Sequence, residues 1–311
     1  MDPFFAWALD PERQLVRQSA NEVYRCRRGA ETLFVRLTFP EHRARAEIEA
    51  EVAWMRSLGV AGVRVVEPVA SRAGAWVETV EHDGRQAYAI VTRAAPGRVG
   101  RKPQDLTVAV VGAWGRLLAD LHAHARGYAP PAEGRRPSWD ADRVLLTALL
   151  DRSAETTWAQ EALRALVAWM HGLPRTRAQF GLTHADLHVG NLAIADDGGA
   201  TVVTAFDFDD ACEQFFVHDL AVGVTSLRKA AWEYPGQVDA DALVPAFLDA
   251  YARAGALDES AHERLERFVA YRIALSACWA GRSHATGQLD AEMDAWFRRS
   301  LPWWQANLRL A

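Results

Sequence analysis

Cysteine, lysine and long apolar runs are all scarce in this chain, and each scarcity narrows what it can be. The three cysteines, Cys26, Cys212 and Cys278, are far apart, odd in number and in no C-x-x-C pair. That argues against a disulfide framework and against a structural zinc site, and it points to the reducing cytoplasm. No apolar run approaches the roughly 18 residues that a membrane span needs. The opening Met1-Asp2-Pro3-Phe4-Phe5 lacks the basic-then-apolar order of a secretory signal. A formal net charge of -5 argues against broad nucleic-acid binding, which needs a basic face. Lysine occurs only at Lys102 and Lys229, so residues 1–101 hold none and their cationic chemistry falls to arginine.

What is present is ordinary for a water-soluble globular chain: 50% hydrophobic and 24% charged over 311 residues, enough for one large or two smaller domains. Up to about residue 93 the texture is that of strands. Residues 23–27 and 32–37 alternate around an Arg28-Gly29-Ala30 turn, and 76–80 and 86–92 flank His82-Asp83-Gly84, a hairpin signal. Between the pairs, 41–58 places Ile48, Val52 and Met55 on one helical face. Pro96-Gly97 then breaks the chain. Helical patterns follow at 105–125, about 140–152, 157–171, 239–255, 259–283 and 289–308. One β-like island interrupts them: 191–195 and 201–206 flank Asp196-Asp197-Gly198-Gly199.

That island carries the chemistry. The chain reads His184-Ala185-Asp186-Leu187-His188-Val189-Gly190-Asn191, then Phe206-Asp207-Phe208-Asp209-Asp210, then His218-Asp219-Leu220-Ala221. Phosphoryl transfer asks little covalent chemistry of a protein. It needs a carboxylate to orient the acceptor hydroxyl, hard oxygen ligands for magnesium, and positive charge near the moving phosphate. An Asp on a loop, an Asn five residues on and a second Asp after a short hairpin supply that set. Asp186 is the candidate base, Asn191 and Asp207 the candidate metal ligands, and His188 the candidate charge near the phosphate.

These runs resemble the aminoglycoside phosphotransferase and choline kinase superfamily, with its H-x-D-x-x-x-x-N and hydrophobic-D-[FWY] signatures. They come nearest the branch of type II homoserine kinases and bacterial stress-response Ser/Thr kinases. Gly115-Arg116-Leu117-Leu118-Ala119-Asp120-Leu121-His122 looks like that family's G-x-x-L-A-x-L-H helix. Thr92 to Arg98 looks like its interlobe linker, and Glu47 to Met55 like its regulatory-type helix. The resemblance implies an α+β, two-lobed, protein-kinase-like fold. A small antiparallel lobe with one helix covers 1–93, a linker 94–97, and a larger, mostly helical lobe 98–311. It implies ATP and Mg2+, with the nucleotide base against Thr92 and Ala94. It also implies a structural role for Asp219, bracing the catalytic-loop backbone.

Two departures stand out. Where the family places a lysine or arginine on the third strand, the candidate here is Arg36, with Glu51 as its helix partner and Glu47 as the rival. The phosphate-covering loop, residues 17–23, has no glycine, although Ser19 and Asn21 offer donors. The expected activity is transfer of the γ-phosphate to a hydroxyl of a small molecule: a metabolite, an amino alcohol or an aminoglycoside-like antibiotic. A protein serine or threonine is the alternative acceptor. A nucleotide-binding pseudokinase is a further reading, and so is a metallohydrolase using His184-x-Asp186-x-His188. Asp209 and Asp210 read as solvated loop acids, with help to a metal from one of them as the alternative; the 133–136 stretch reads as a solvated loop, His122 as a packed histidine, and Trp303-Trp304 as packing.

Overall fold

A computed structural model describes residues 3–18, 20–100, 102–131, 134–255 and 259–308. The chain folds as two compact units. The first comprises Met1–Gly97, Tyr128–Arg136 and Thr204–Asp209; the second comprises Arg98–Gly127, Pro137–Val203 and Asp210–Ala311.

The first unit holds helix α1 (Pro3–Ala6), strands β1 (Arg13–Gln18), β2 (Asn21–Arg28) and β3 (Glu31–Thr38), helix α2 (Arg45–Val60), and strands β4 (Glu78–His82) and β5 (Arg85–Arg93). The strands form one antiparallel sheet in the order β1-β2-β3-β5-β4. Asp83 and Gly84 both have positive φ, 49° and 73°, as the tight β4–β5 hairpin requires. Period-two alternation sends Leu33, Val35 and Leu37 of β3 into one core with Ala87, Ala89 and Val91 of β5 and Trp7. The opposite face packs Ile90 and Val77 on Ile48 and Val52 of α2. Arg36 lies between Val35 and Leu37 in sequence, so alternation turns it to the α2 face. Glu51 lies on the buried stripe of that helix with Ile48, Val52 and Met55.

The second unit begins with β6 (Arg98–Val99) and continues through α3 (Val108–Gly127), α4 (Arg143–Leu149), α5 (Thr157–His171) and β7 (Phe180–Thr183). Next come β8 (Leu192–Asp197), β9 (Ala200–Ala205) and β10 (Cys212–Phe215). Four helices close it: α6 (Phe216–Glu233), α7 (Ala240–Arg253), α8 (Glu259–Ala285) and α9 (Ala291–Asn307). Strands β7 and β10 pair antiparallel, and β6-β8-β9 form a second small sheet. Gly115 lets α3 and α7 approach closely: a Cβ there would sit 2.3 Å from the Phe247 carbonyl oxygen. Trp303 and Trp304 are buried, as expected. No helix among the described residues is long and apolar enough to cross a membrane.

Strands β1, β6, β7 and β10 and helices α1 and α6 are additions to the elements expected from sequence. The 133–136 expectation needs correction at Arg136, which is buried in the first unit rather than solvated.

Candidate active site

The loop from His184 to Asn191 joins β7 to β8, and a buried carboxylate shapes it. Asp219, in the first turn of α6, accepts hydrogen bonds from the His184 amide (Oδ2, 2.9 Å) and the Ala185 amide (Oδ1, 2.7 Å). Its Oδ2 also meets His122 Nε2 at 3.0 Å, and His122 Nδ1 meets the Tyr251 hydroxyl at 2.9 Å. Asp219 therefore braces the loop, and His122 is a packed histidine of α3 that supports the brace. Burial alone raises the pKa of Asp219, but His122 outweighs it and holds the carboxyl below its ordinary value. In return, Ala185 keeps a left-handed φ of 65°, a conformation costing about 1–3 kcal/mol in a residue with a Cβ.

The next residue is Asp186. Its carbonyl accepts from the His188 amide (2.8 Å) and from Asn191 Nδ2 (3.0 Å), which closes the loop on itself. Its carboxylate Oδ1 accepts from Arg272 Nη2 of α8, and Oδ2 lies 3.7 Å from His188 Nε2. Burial raises the Asp186 pKa, but Arg272 and then His188 more than offset it, so the carboxyl titrates below its usual range. His188 Nδ1 accepts the Gly190 amide at 3.0 Å, which makes Nε2 the protonated nitrogen of the neutral ring and points that proton towards Asp186. Asn191 is buried. With Nδ2 spent on the loop, its Oδ1 accepts no hydrogen bond among the described residues.

The first unit carries the remaining candidates. Arg36 grips Glu51 through both guanidinium ends, at 2.8 and 2.7 Å, the bidentate geometry that suits arginine. Glu47, the rival partner, instead accepts the Ala44 amide at the start of α2. Asp209 is the main correction to the sequence expectation. It is buried, and it takes Asn21 Nδ2 at 2.9 Å and His42 Nε2 at 3.2 Å, with Arg43 Nε at 3.7 Å and Arg36 Nη1 at 3.9 Å. Burial opposes its charge, yet Arg36, His42 and Arg43 hold its carboxyl well below the ordinary range. Its carbonyl also accepts Arg136 and, at 2.9 Å, Arg43. Three arginines thus surround the two carboxylates of Glu51 and Asp209, residues contributed by four separate stretches of chain.

Asp207 has a left-handed φ of 66°, and Arg17 Nη1 lies 3.5 Å from its Oδ2. Phe208, buried against Trp54 with ring centroids 5.6 Å apart, fixes the backbone between Asp207 and Asp209. Asn21 directs its amide nitrogen at Asp209. Thr92 lies on β5 opposite Phe34, and the Ala94 amide donates to the Thr32 carbonyl at 3.0 Å. Ser19 lies outside the described residues. Arg272, Arg43 and Arg136 are polar participants that no sequence motif singled out.

Asn191 and Asp207 are hard oxygen donors, the chemistry magnesium or calcium prefers, and the unengaged Asn191 Oδ1 suits such an ion. Among the described residues no group of three His, Cys, Asp or Glu side chains gathers as a metal site. His184-x-Asp186-x-His188 therefore does not form the transition-metal cluster a metallohydrolase would need. The three cysteines are buried, and burial pushes Cys26 up to about 11 and Cys278 up to about 12, which makes those two poor nucleophiles.

A model of the phosphotransferase enzyme family matches residues 12–268. Amicoumacin kinase from Bacillus subtilis (strain 168) is 28% identical over 221 residues, a match that takes in 70% of this chain and 63% of that protein. The chain therefore spans less than two thirds of that relative's length. Among solved structures, the amicoumacin kinase hAmiN in complex with AMP-PNP, Ca2+ and Ami superposes with a TM-score of 0.81 at 22% identity, covering 97% of this chain and 91% of that one. The microcompartment-associated aminopropanol kinase superposes with a TM-score of 0.76 at 21% identity, covering 98% and 93%. The fold is the one these kinases share.

Proposed function

The chain belongs to the phosphotransferase enzyme family, and from that premise we propose that it transfers the γ-phosphate of ATP, with magnesium, to a hydroxyl group of a small molecule. The observation that carries this reading is the 184–191 loop. A strained Ala185 is pinned by Asp219, and the Asp186 carbonyl is tied down twice, so the backbone that carries the Asp186 carboxylate is held in a fixed place. Such preorganisation is what a reaction governed by positioning and electrostatics demands.

In this reading Asp186 accepts the proton of the acceptor hydroxyl as a hydrogen bond and takes it late in transfer. Its lowered pKa suits that order, because a weak base orients an alcohol long before it deprotonates it. His188 keeps its Nε2 proton on the Asp186 side of the loop, 3.7 Å from Oδ2, close enough to act on the reacting groups electrostatically. Asn191 and Asp207 would offer hard oxygen donors to the divalent ion, which would neutralise phosphate charge. Arg36, locked by Glu51, offers fixed positive charge to the phosphates from a lobe that has no lysine there. The amide of Ala94 is spent on Thr32, so the nucleotide base meets the Ala94 carbonyl and the neighbourhood of Thr92. Likeness to an aminopropanol kinase favours an amine-bearing hydroxyl compound as acceptor.

The test is ADP release from ATP and Mg2+ with a panel of hydroxyl compounds, including 1-amino-2-propanol and aminoglycosides. Wild type should transfer phosphate to at least one of them. Asp186→Asn should cut that transfer by roughly 10²–10⁴-fold while AMP-PNP still binds. Transfer by Asp186→Asn at the wild-type rate would contradict the assignment.

A further inference from the structure

We propose that Arg272 is the positioning residue for Asp186: from α8 it takes Oδ1 and leaves Oδ2 as the one carboxylate oxygen presented to the acceptor hydroxyl. The inference rests on the reading of Asp186 given above and adds which atom acts and what aims it. An ionised carboxylate offers about four lone-pair directions on two equivalent oxygens. The loop contacts fix only the backbone of Asp186: Asp219 holds the two preceding amides, and His188 and Asn191 bond its carbonyl. None of these restrains rotation of the side chain.

The one hydrogen bond to the carboxylate comes from Arg272 Nη2, and it falls on Oδ1. Oδ2 accepts no hydrogen bond among the described residues. His188 Nε2, at 3.7 Å, is beyond hydrogen-bond range of it. Arg272 makes no other hydrogen bond among the described residues, so four of its five donors are unspent here. An arginine kept only to tie helices together would spend more of them. Both side chains are about three-quarters or more buried, so solvent does little to loosen the pair. The helix beneath is firm. Phe268 and Tyr271, one turn and one residue before Arg272, are buried against Phe215 and Trp139. A guanidinium standing on such a platform can hold a carboxylate to the tolerance that transfer chemistry needs.

Crystal structures of the full-length Arg272→Gln and Arg272→Lys variants test this without any acceptor. The Asp186 carboxylate is expected to leave its orientation in Arg272→Gln and to keep it in Arg272→Lys, where a cation is retained. An unchanged Asp186 in Arg272→Gln overturns the proposal. The kinetic arm uses ATP, Mg2+ and the acceptor from the panel that wild type uses best. Arg272→Gln should lower kcat about 100-fold, the scale of a misplaced reacting group, with the KM for ATP unchanged. Added to Asp186→Asn, it should cost nothing further, because it acts through a carboxylate no longer there. An equal further fall in that background contradicts the proposal. The two layers separate cleanly: a fully active Asp186→Asn refutes the underlying reading, whereas an inactive Asp186→Asn beside a fully active Arg272→Gln refutes only the role of Arg272.

Discussion

Replacing Asp219 by asparagine keeps the shape of the brace and removes its charge and one acceptor. The amide oxygen, placed where Oδ2 stands, still accepts from the His184 amide and from His122. The NH2 group then faces the Ala185 amide, donor against donor, in a site with no solvent exposure. The lost hydrogen bond to a charged acceptor is worth about 1.5–3 kcal/mol, and the stranded buried donors add about 1–3 kcal/mol. Ala185 also loses the contact that holds it at a φ of 65°. Together these give a destabilisation of about 2.5–6 kcal/mol, read from the urea midpoint followed by tryptophan fluorescence. Phosphate transfer should fall with it, since relaxation of Ala185 moves Asp186. Acid should act in the same direction on wild type. The folded pKa of Asp219 is lowered, so its stabilisation is present above the unfolded value of about 3.9 and is lost as pH falls through the folded value. A variant within about 0.5 kcal/mol of wild type, the scatter expected of a neutral surface change, would refute the brace.

Gly115→Ala should lower the melting temperature, because the new Cβ would lie 2.3 Å from the Phe247 carbonyl oxygen and α7 would have to move away. The expected cost is about 1–3 kcal/mol, and an unchanged melting temperature would show that the helices do not pack this closely. His218 is buried on α6 with neither ring nitrogen hydrogen-bonded among the described residues, and burial pushes its pKa down to about 4. Below about pH 6.5 the unfolded chain gains a proton that the folded chain refuses. Stability should therefore fall by about 3 kcal/mol between pH 6.5 and 4, and His218→Leu should flatten that slope in urea titrations run across the range. An equal slope in the variant would remove His218 as its cause.

Local chemistry made much of this molecule legible from sequence. Alternation at Leu33, Val35 and Leu37, the Asp83-Gly84 turn and the Val111-Trp114-Leu118-Leu121 spacing each reflect one buried face, and each marks an element that formed. Strand β1 gave no such signal because all six of its residues are exposed. Helix α6 gave none for the opposite reason: Phe216 to Val224 are buried without a break, so no polar face marks the period. Strands β7 and β10 are four residues each, too short for alternation to stand out. Contiguous residues made Asp186, His188, Asn191 and Asp207 candidates, and Arg36 could be paired with Glu51 because both lie on buried faces of neighbouring elements. Asp209 was hidden by distance along the chain. Its partners Asn21, Arg43 and Arg136 lie 188, 166 and 73 residues away, so a motif that looked like a solvated loop end became a buried acceptor. Arg272 was hidden in the same way, 86 residues beyond Asp186 on a helix whose sequence carries no motif.

The proposed transfer takes Asn191 and Asp207 as oxygen donors to a divalent ion that accompanies the nucleotide. Isothermal titration of AMP-PNP into the full chain across a range of Mg2+ concentrations tests that role without an acceptor. Magnesium should strengthen binding to wild type, and in a folded Asp207→Ala variant that dependence should vanish, leaving only the affinity seen without metal. Binding to Asp207→Ala that still tightens with Mg2+ as it does in wild type would contradict the metal assignment and the phosphotransfer chemistry built on it.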